Sequence, residues 1–198
     1  MKTKQQVVSE FRRTEIVDAA RTAFARKGFT LATIDEIAKE AGIAKGTVYL
    51  YFRSKTEIYK AVLDHDMRGM KKSTLDRIDA AASLRDKILA FILTRLENAE
   101  DKKEFFRIMD TERGNLSVTR SQFRDWLREP VSRLAAAIGE GSRHGEIREV
   151  DAERAAWIVA DIARGAIQRR LLGHSDATLN EDAEFLASFV WAALAVRR

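Results

Sequence analysis

The sequence predicts an all-α fold, and three observations lead to that prediction. Residues with a high helix propensity, chiefly Ala, Leu, Glu, Lys and Arg, run through almost all of the 198-residue chain. Residues that break helices are few, since the chain has one Pro and ten Gly. No window alternates polar and β-branched residues in the way that a half-buried strand does. We therefore expect the core to be built from helices alone.

The composition excludes several classes of protein. The chain has no Cys, which rules out disulfides, a Cys-based zinc site and a thiol nucleophile. The first ten residues lack the apolar segment of a signal peptide. No apolar run approaches the ~18 residues that are needed to span a bilayer. We expect a soluble, cytoplasmic protein with no membrane partner.

The net charge of +5 is concentrated near the N-terminus. Residues 1–60 contain 12 Lys and Arg against 7 Asp and Glu, whereas residues 61–198 contain 23 of each kind. A local excess of positive charge attracts polyanions, and binding is driven by the release of counterions from phosphates. The charge distribution alone is explained equally well by an ordinary solvated basic surface as by a surface that binds a polyanion. The sequence motifs distinguish these two interpretations.

Two helices are predicted in the first 42 residues. The first spans residues 10–27, which carry apolar residues at helical spacing, and Gly28 supplies a left-handed stop. The second begins at Thr33, which forms a capping box with Glu36. Gly42 ends this helix and opens a tight turn.

The third predicted helix, residues 45–52, has two different faces. Val48 and Phe52 are four residues apart and share the inward face. Thr47 and Leu50 lie well away from that face. A short helix that is held on one side and exposed on the other can enter the major groove of DNA.

A fourth helix is predicted from Ser54 to about Met70. Ser54 and Glu57 form a second capping box. The free amides of its first turn point the same way as the neighbouring basic side chains, an arrangement that suits a DNA phosphate.

Residues 10–60 resemble the DNA-binding domain of the TetR family of bacterial one-component regulators. The resemblance is carried by the segment TIDEIAKEAGIAKGTVYLYFRSK, residues 33–55, and is strong over about a quarter of the chain. In that pattern residues 45–47 lie at the groove, Gly46 allowing close approach of the backbone, and the tyrosines and Lys55 meet phosphates. The resemblance implies contacts with double-stranded DNA for Thr33, Lys45, Gly46, Thr47, Tyr49, Leu50, Tyr51 and Lys55.

Two positions depart from the family pattern. Ala44 stands where Ser or Thr is usual, so the third helix lacks a side-chain N-cap, a loss of roughly 1 kcal/mol. Leu50 stands where relatives often carry a polar or aromatic residue. Leu50 either contacts a thymine methyl group or packs on the fourth helix, and the sequence leaves both interpretations open.

Helices are also predicted through the rest of the chain. The only proline, Pro130, should kink or divide the third of them. The last has an acidic first turn after Asn180, which complements the helix dipole. The predicted spans are residues 83–98, 102–114, 121–143, 151–172 and 180–196.

The last two helices are the candidates for a dimer interface. The final helix is apolar on more than one side, and such a helix must be covered on more than one side. The resemblance implies a homodimer joined through this helix pair, which would present two recognition helices to a palindromic operator. The candidate interface residues are Ile158, Ile162, Ala166, Phe185, Phe189, Val190 and Ala193.

The large residues of the remaining helices are candidates for an effector pocket. Each is also a plausible ordinary core residue, so the prediction concerns the set and not its members. The resemblance implies a small hydrophobic or amphipathic effector that weakens operator binding. The candidate ligand-binding residues are Met67, Met70, Phe91, Phe106, Met109, Phe123, Trp126 and Trp157.

Together these observations predict a ligand-responsive repressor, with an activator or an effector-independent DNA-binding regulator as the alternative. We divide the chain into a flexible basic arm at 1–9, a helix-turn-helix domain at 10–53 and an effector-binding and dimerisation domain at 54–198. Sequence motifs typical of enzymes are missing. Asp64, His65 and Asp66 have side chains that can bind metals, but adjacent residues point in different directions on a helix, so the three cannot bind one metal ion. We therefore predict no enzymatic activity, no metal and no cofactor.

Overall fold

The computed structural model describes residues 3–103 and 120–196, although not the side chains of residues 120–124. Eight α-helices contain most of these residues. The predicted all-α class is confirmed. Within the described residues the one strand-like pairing is an isolated antiparallel bridge between Ile147 and Ala195. The predicted helix at 102–114 lies outside the described residues, apart from its first two positions. The helices are α1 (Lys4–Leu31), α2 (Ile34–Glu40), α3 (Lys45–Tyr51), α4 (Lys55–Ala80), α5 (Leu84–Asp101), α6 (Arg120–Arg143), α7 (Ala152–Leu171) and α8 (Leu179–Leu194).

The contacts divide the chain into two compact units, and the division falls inside α4, after Met67. The described part of the first unit is residues 3–67, and that of the second is residues 68–103 and 120–196. The first turns of α4, which the sequence analysis assigned to the second domain, therefore pack with α1–α3. No helix among the described residues is long and apolar enough to cross a bilayer.

Helix α1 is longer than the sequence predicts. It begins at Lys4, because the hydroxyl of Thr3 accepts the amide of Gln6 and the Gln6 side chain accepts the amide of Thr3. Residues 4–9 are thus helical, although we expected them to belong to a flexible arm. The predicted break at Gly28 is confirmed, since this residue has φ of 75° inside the helical span.

The turn between α2 and α3 is held by backbone hydrogen bonds. Gly42 adopts φ of 66°, a left-handed conformation that glycine reaches without steric cost. Its amide donates to the carbonyl of Lys39 at 3.1 Å, and the amide of Ile43 donates to that of Ala38 at 3.0 Å. These bonds satisfy carbonyls at the end of α2 and set the direction in which α3 leaves the turn.

Aromatic and charged contacts tie α1 to α4 within the first unit. The ring of Tyr59 packs against Phe24 and Phe29, with centroids 5.7 and 4.8 Å apart. Arg21 donates to the carboxylate of Asp66, whose side chain is buried, and also to Nδ1 of His65. No group of three or more His, Cys, Asp or Glu in the described part of the chain is arranged to hold a metal ion.

The second unit is built around α5, which is buried along most of its length and packs against α6, α7 and α8. Pro130 lies inside α6 without dividing it. Helix α8 begins one residue earlier than predicted, because Thr178 forms a capping box with Glu181.

A buried carboxylate joins α7 to α8. Asp182 accepts hydrogen bonds from Arg169, Arg170 and Ser175 at 3.2, 2.7 and 2.9 Å. Burial by itself raises the pKa of Asp182, but the bonds from Arg170 and Ser175 outweigh it, so the pKa is lowered overall. The carboxylate therefore stays ionised in an interior position.

Candidate nucleic-acid interface

Helix α3 presents one face to solvent because its other face is anchored in the core. The side chains of Val48 and Phe52 are 0% and 1% exposed, whereas Leu50 is 81% exposed and Tyr49 is 48% exposed. A β-carbon added at Gly46 would have no atom within 4 Å. Gly46 and Leu50, two residues of the face that the sequence predicts to read DNA, are therefore open to solvent.

The other predicted contact residues of α3 are less exposed. Thr47 and Tyr51 are half-buried, and Lys45 is exposed. Ala44 makes no side-chain capping bond, as the sequence predicts, so the amides at the start of α3 lack a side-chain acceptor.

An arginine to which the sequence assigns no role holds the C-terminal end of α3. Arg13 on α1 donates from Nη1 to the carbonyl of Tyr51 at 2.9 Å. Its guanidinium also lies 4.1 Å from the centroid of the Phe52 ring. A cation at this end complements the helix dipole. Because the contact spans 38 positions in sequence, no local pattern indicates it.

The predicted capping box at the start of α2 is confirmed, and the Thr33 hydroxyl makes its hydrogen bonds within that box. The Thr33 hydroxyl accepts the amide of Glu36 and donates to the Glu36 carboxylate, each at 3.2 Å. Glu36 is also paired with Lys27. The bond from Lys27, followed by that from the Thr33 amide, lowers the pKa of Glu36 to about 2. A phosphate at Thr33 would therefore meet an ionised carboxylate beside it.

Lys45 has an acidic partner that the sequence analysis did not identify. Its Nζ donates to Oδ2 of Asp35 on α2 at 2.7 Å, and both side chains are at least half exposed. This hydrogen bond raises the pKa of Lys45. Surface pairs of this kind contribute little to stability, but the pair holds the lysine beside the exposed face of α3.

Lys55 does not occupy the position that we expected of a phosphate contact. Its Nζ donates to the carbonyls of Phe29, Thr30 and Ala32 at 2.7, 3.0 and 2.9 Å. An ammonium has three N–H donors, so all of them are used. The last carbonyls of a helix have no partner within it, and Lys55 supplies one at the end of α1. The structure thus gives Lys55 a role in joining α1 to α4.

The predicted interface residues fall into two groups. Ile158, Phe185 and Phe189 are 57%, 69% and 65% exposed, Ala193 is also exposed, and Ile162 is half-buried. Ala166 and Val190 lie instead in the core of the second unit, only 5% and 6% exposed. The interface assignment of Ala166 and Val190 therefore needs correction, and that of the first group stays a prediction.

The predicted ligand-binding residues are only partly described. Trp126 and Trp157 are half-buried, whereas Met67, Met70 and Phe91 are buried. Phe106 and Met109 lie outside the described residues, as does the side chain of Phe123. The described residues place Phe91 and Trp157 in or against the core of the second unit.

Comparisons with known proteins agree with this arrangement. Residues 16–62 match the model of the family described as bacterial regulatory proteins, tetR family. The chain is 27% identical over 180 residues to the HTH-type transcriptional regulator TtgR of Pseudomonas putida, covering 87% of this chain and 86% of that protein. It is 28% identical over 138 residues to the fatty acid metabolism regulator protein of Bacillus subtilis, covering 68% and 70%.

The fold is shared with solved structures of the same kind. A TetR transcription regulator from Haloarcula marismortui superposes with a TM-score of 0.80 at 22% identity, covering 94% of this chain and all of that one. At this level of identity the likeness concerns the fold alone.

We predict that Lys55→Met destabilises the first unit without changing the number of phosphate contacts. Loss of the bonds to the α1 carbonyls should reduce the free energy of unfolding by about 2 kcal/mol, measured by urea denaturation. The slope of log binding constant against log salt, measured by fluorescence anisotropy with DNA, should stay that of the unaltered protein.

Lys60→Met is the matched control, because Lys60 is exposed on the same helix. A salt slope that falls by about one phosphate contact per protomer in Lys55→Met, with stability unchanged, would restore the phosphate role.

Proposed function

Since the chain is a DNA-binding transcriptional regulator of the TetR family, we propose that it is a repressor that binds a palindromic operator as a homodimer and leaves it when a small effector binds. The observation that carries this proposal is the presentation of α3. Val48 and Phe52 fix the helix from behind, and Leu50 on the other side is 81% exposed. A seven-residue helix supported in this way fits the major groove.

The residues of α3 and its flanks divide by the contacts that their side chains can make. Lys45 and Thr47 offer a cation and a hydroxyl to base edges or to nearby phosphates. Gly46 leaves the space for the backbone to approach, since no atom lies within 4 Å of the position of a β-carbon. The hydroxyls of Tyr49 and Tyr51, together with Thr33, are proposed to bond phosphates, which position the protein without reading sequence.

The proposed homodimer uses the exposed apolar face of α7 and α8. Phe185, Phe189 and Ala193 follow one another at intervals of four on α8 and so lie along one side of it. Each of the two phenylalanines is about two-thirds exposed, and an apolar surface of this kind is unfavourable in water for a monomer. A second copy of the same face would cover them, and the two-fold axis would relate two α3 helices to the half-sites of a palindrome.

The proposed release of the operator by an effector has a thermodynamic condition. A ligand lowers operator affinity only if it binds the form that does not bind DNA more tightly than the form that does. We propose that the second unit binds this ligand, a small hydrophobic or amphipathic molecule, among its large residues. The candidates of that unit whose side chains are described are Met70, Phe91, Trp126 and Trp157, whereas Met67 belongs to the first unit.

We predict that Leu50 contacts a thymine methyl group in the operator. Selection from a random DNA library should first yield a palindromic site, and replacing each thymine by deoxyuridine then removes one methyl group at a time. At one position per half-site the unaltered protein should lose about fourfold in affinity, the value of one buried methyl group, whereas Leu50→Ala should lose nothing there.

Leu31→Ala is the matched control, because Leu31 is 72% exposed on the same unit but lies outside α3. An identical response of Leu50→Ala and the unaltered protein to deoxyuridine at all positions would leave Leu50 as a bystander. A selected site without two-fold symmetry would contradict the palindromic operator.

We predict that Asp35 restrains Lys45 and so weakens DNA binding. Asp35→Asn frees the ammonium and removes a negative charge from the interface, so affinity should rise severalfold at low salt and the gain should shrink as salt is added. Asp76→Asn makes the same change of charge in another exposed ion pair, with Lys72, and should have a much smaller effect. Equal effects of the two variants would show that only net charge matters.

We predict that Phe189→Glu produces monomers. A charge placed in the apolar face would be buried without a partner in the dimer, while the exposed position spares the fold. Sedimentation should give half the mass of the unaltered protein, with operator affinity reduced to that of a half-site. Phe11→Glu, at a phenylalanine that is 61% exposed on α1, is the control. A dimer that survives Phe189→Glu contradicts this interface.

A further inference from the structure

Arg95 stands in the middle of the apolar side of α5. Counting along the helix, it is seven residues after Ile88, four after Phe91, three after Ile92 and four before Ala99. These four neighbours on the same side are 0%, 0%, 0% and 4% exposed. Helical periodicity would put an aliphatic residue at position 95. An arginine there places a cation on an apolar surface.

The guanidinium of Arg95 has no anionic partner among the described residues. Its Nε atom is fully buried and makes no hydrogen bond. The group lies 5.6 Å from the centroid of the Phe91 ring, a cation–π contact. Burial, and after it the positive charge of the nearby Arg164, lowers the pKa of Arg95 to about 10. The hydroxyl of Thr94, the preceding residue, is also buried without a partner.

The charges on the neighbouring helix do not neutralise Arg95. Asp161 on α7 attracts it, but the Asp161 carboxylate already accepts a bond from Arg164 at 2.9 Å, and both of these side chains are mostly exposed. Trp157 lies four residues before Asp161 and is therefore on the same side of α7. The guanidinium thus lies against the ring of Phe91, and no carboxylate among the described residues forms an ion pair with it.

In the same unit another charged side chain has the hydrogen-bond partners that the Nε of the half-buried Arg95 lacks. Asp182 is buried and accepts bonds from three side chains. A buried charge is ordinarily paired in this way, because desolvation without compensation is costly. Arg95 is half-buried, and its Nε, which is fully buried without a hydrogen bond, carries part of that cost when no ligand is bound.

We infer that Arg95 receives the anionic head of the effector, and that the effector is an amphipathic carboxylate. This inference rests on the proposed function and names the ligand class of its effector site. The planar guanidinium presents two parallel N–H groups that match the two oxygens of a carboxylate. The apolar residues of α5 and the indole of Trp157 would contact the apolar part of the same molecule.

The test uses the full-length protein and straight-chain carboxylates from hexanoate to hexadecanoate as probes. Each is paired with the alcohol of the same length and with the alkyl phosphate. Binding is measured by calorimetry. The midpoint of thermal unfolding is measured with and without each probe. The variants are Arg95→Met, which keeps the length of the side chain without its charge, and Arg128→Met, whose side chain is 71% exposed, as control.

The unaltered protein and Arg128→Met should bind at least one carboxylate roughly tenfold or more tightly than its alcohol, since the charged bonds are lost with the alcohol. Arg95→Met should bind the acid and the alcohol alike. Without ligand, Arg95→Met should melt above the unaltered protein, because it removes a cation whose buried Nε has no hydrogen-bond partner. If the protein prefers the alkyl phosphate, Arg95 is still the anion site, but the ligand class is a phosphate ester and the assignment to a carboxylate is wrong.

Three results would overturn the inference. They are the absence of binding for every anionic probe, carboxylate affinity in Arg95→Met equal to that of the unaltered protein, and a lower melting point of Arg95→Met with no change in anion binding. Operator binding is measured separately. Carboxylates that bind through Arg95 without releasing DNA would contradict only the release mechanism. Release of Arg95→Met by another compound as readily as the unaltered protein would contradict only the anion site.

Discussion

The orientation of α3 is the constraint on which the first unit depends. A helix of seven residues is too short to be stable by itself, so contacts outside it must hold it in place. Val48 and Phe52 bury one side, the bonded turn at Gly42 sets its entry, and Arg13 binds the carbonyl at its end. These contacts lie behind the helix or at its ends, which leaves the opposite face free for a ligand as large as DNA.

The sequence predicts the features of this unit that depend on near neighbours. The capping box at Thr33, the left-handed glycines at 28 and 42, and the missing cap at Ala44 all involve residues within four positions of one another. Contacts between distant residues were missed. In sequence Arg13 carries no local signal and Lys55 is predicted to meet a phosphate, and only the fold brings them to carbonyls 38 and 23 to 26 positions away.

The second unit illustrates a different limit of sequence reasoning. Helix α8 is apolar on two sides, and periodicity predicts that both are covered without indicating by what. The structure assigns Val190 to the core of its own unit and leaves Phe189, the adjacent residue, 65% exposed. One residue changes direction by about 100° on a helix, so an uncertainty of one position exchanges a core residue for an interface residue. Burial in the folded unit is what separates them.

If Arg95 receives an anion, as we propose, the distribution of charge links stability to ligand binding in the second unit. Asp182 has its bonding groups within the chain, so its contribution to the fold does not depend on any ligand. The Nε of Arg95 has none, so the folded unit is less stable than the same shape with an anion at that position. A ligand that supplies the anion stabilises the conformation that best encloses it. Whether operator affinity falls then depends only on whether that conformation differs from the one that binds DNA.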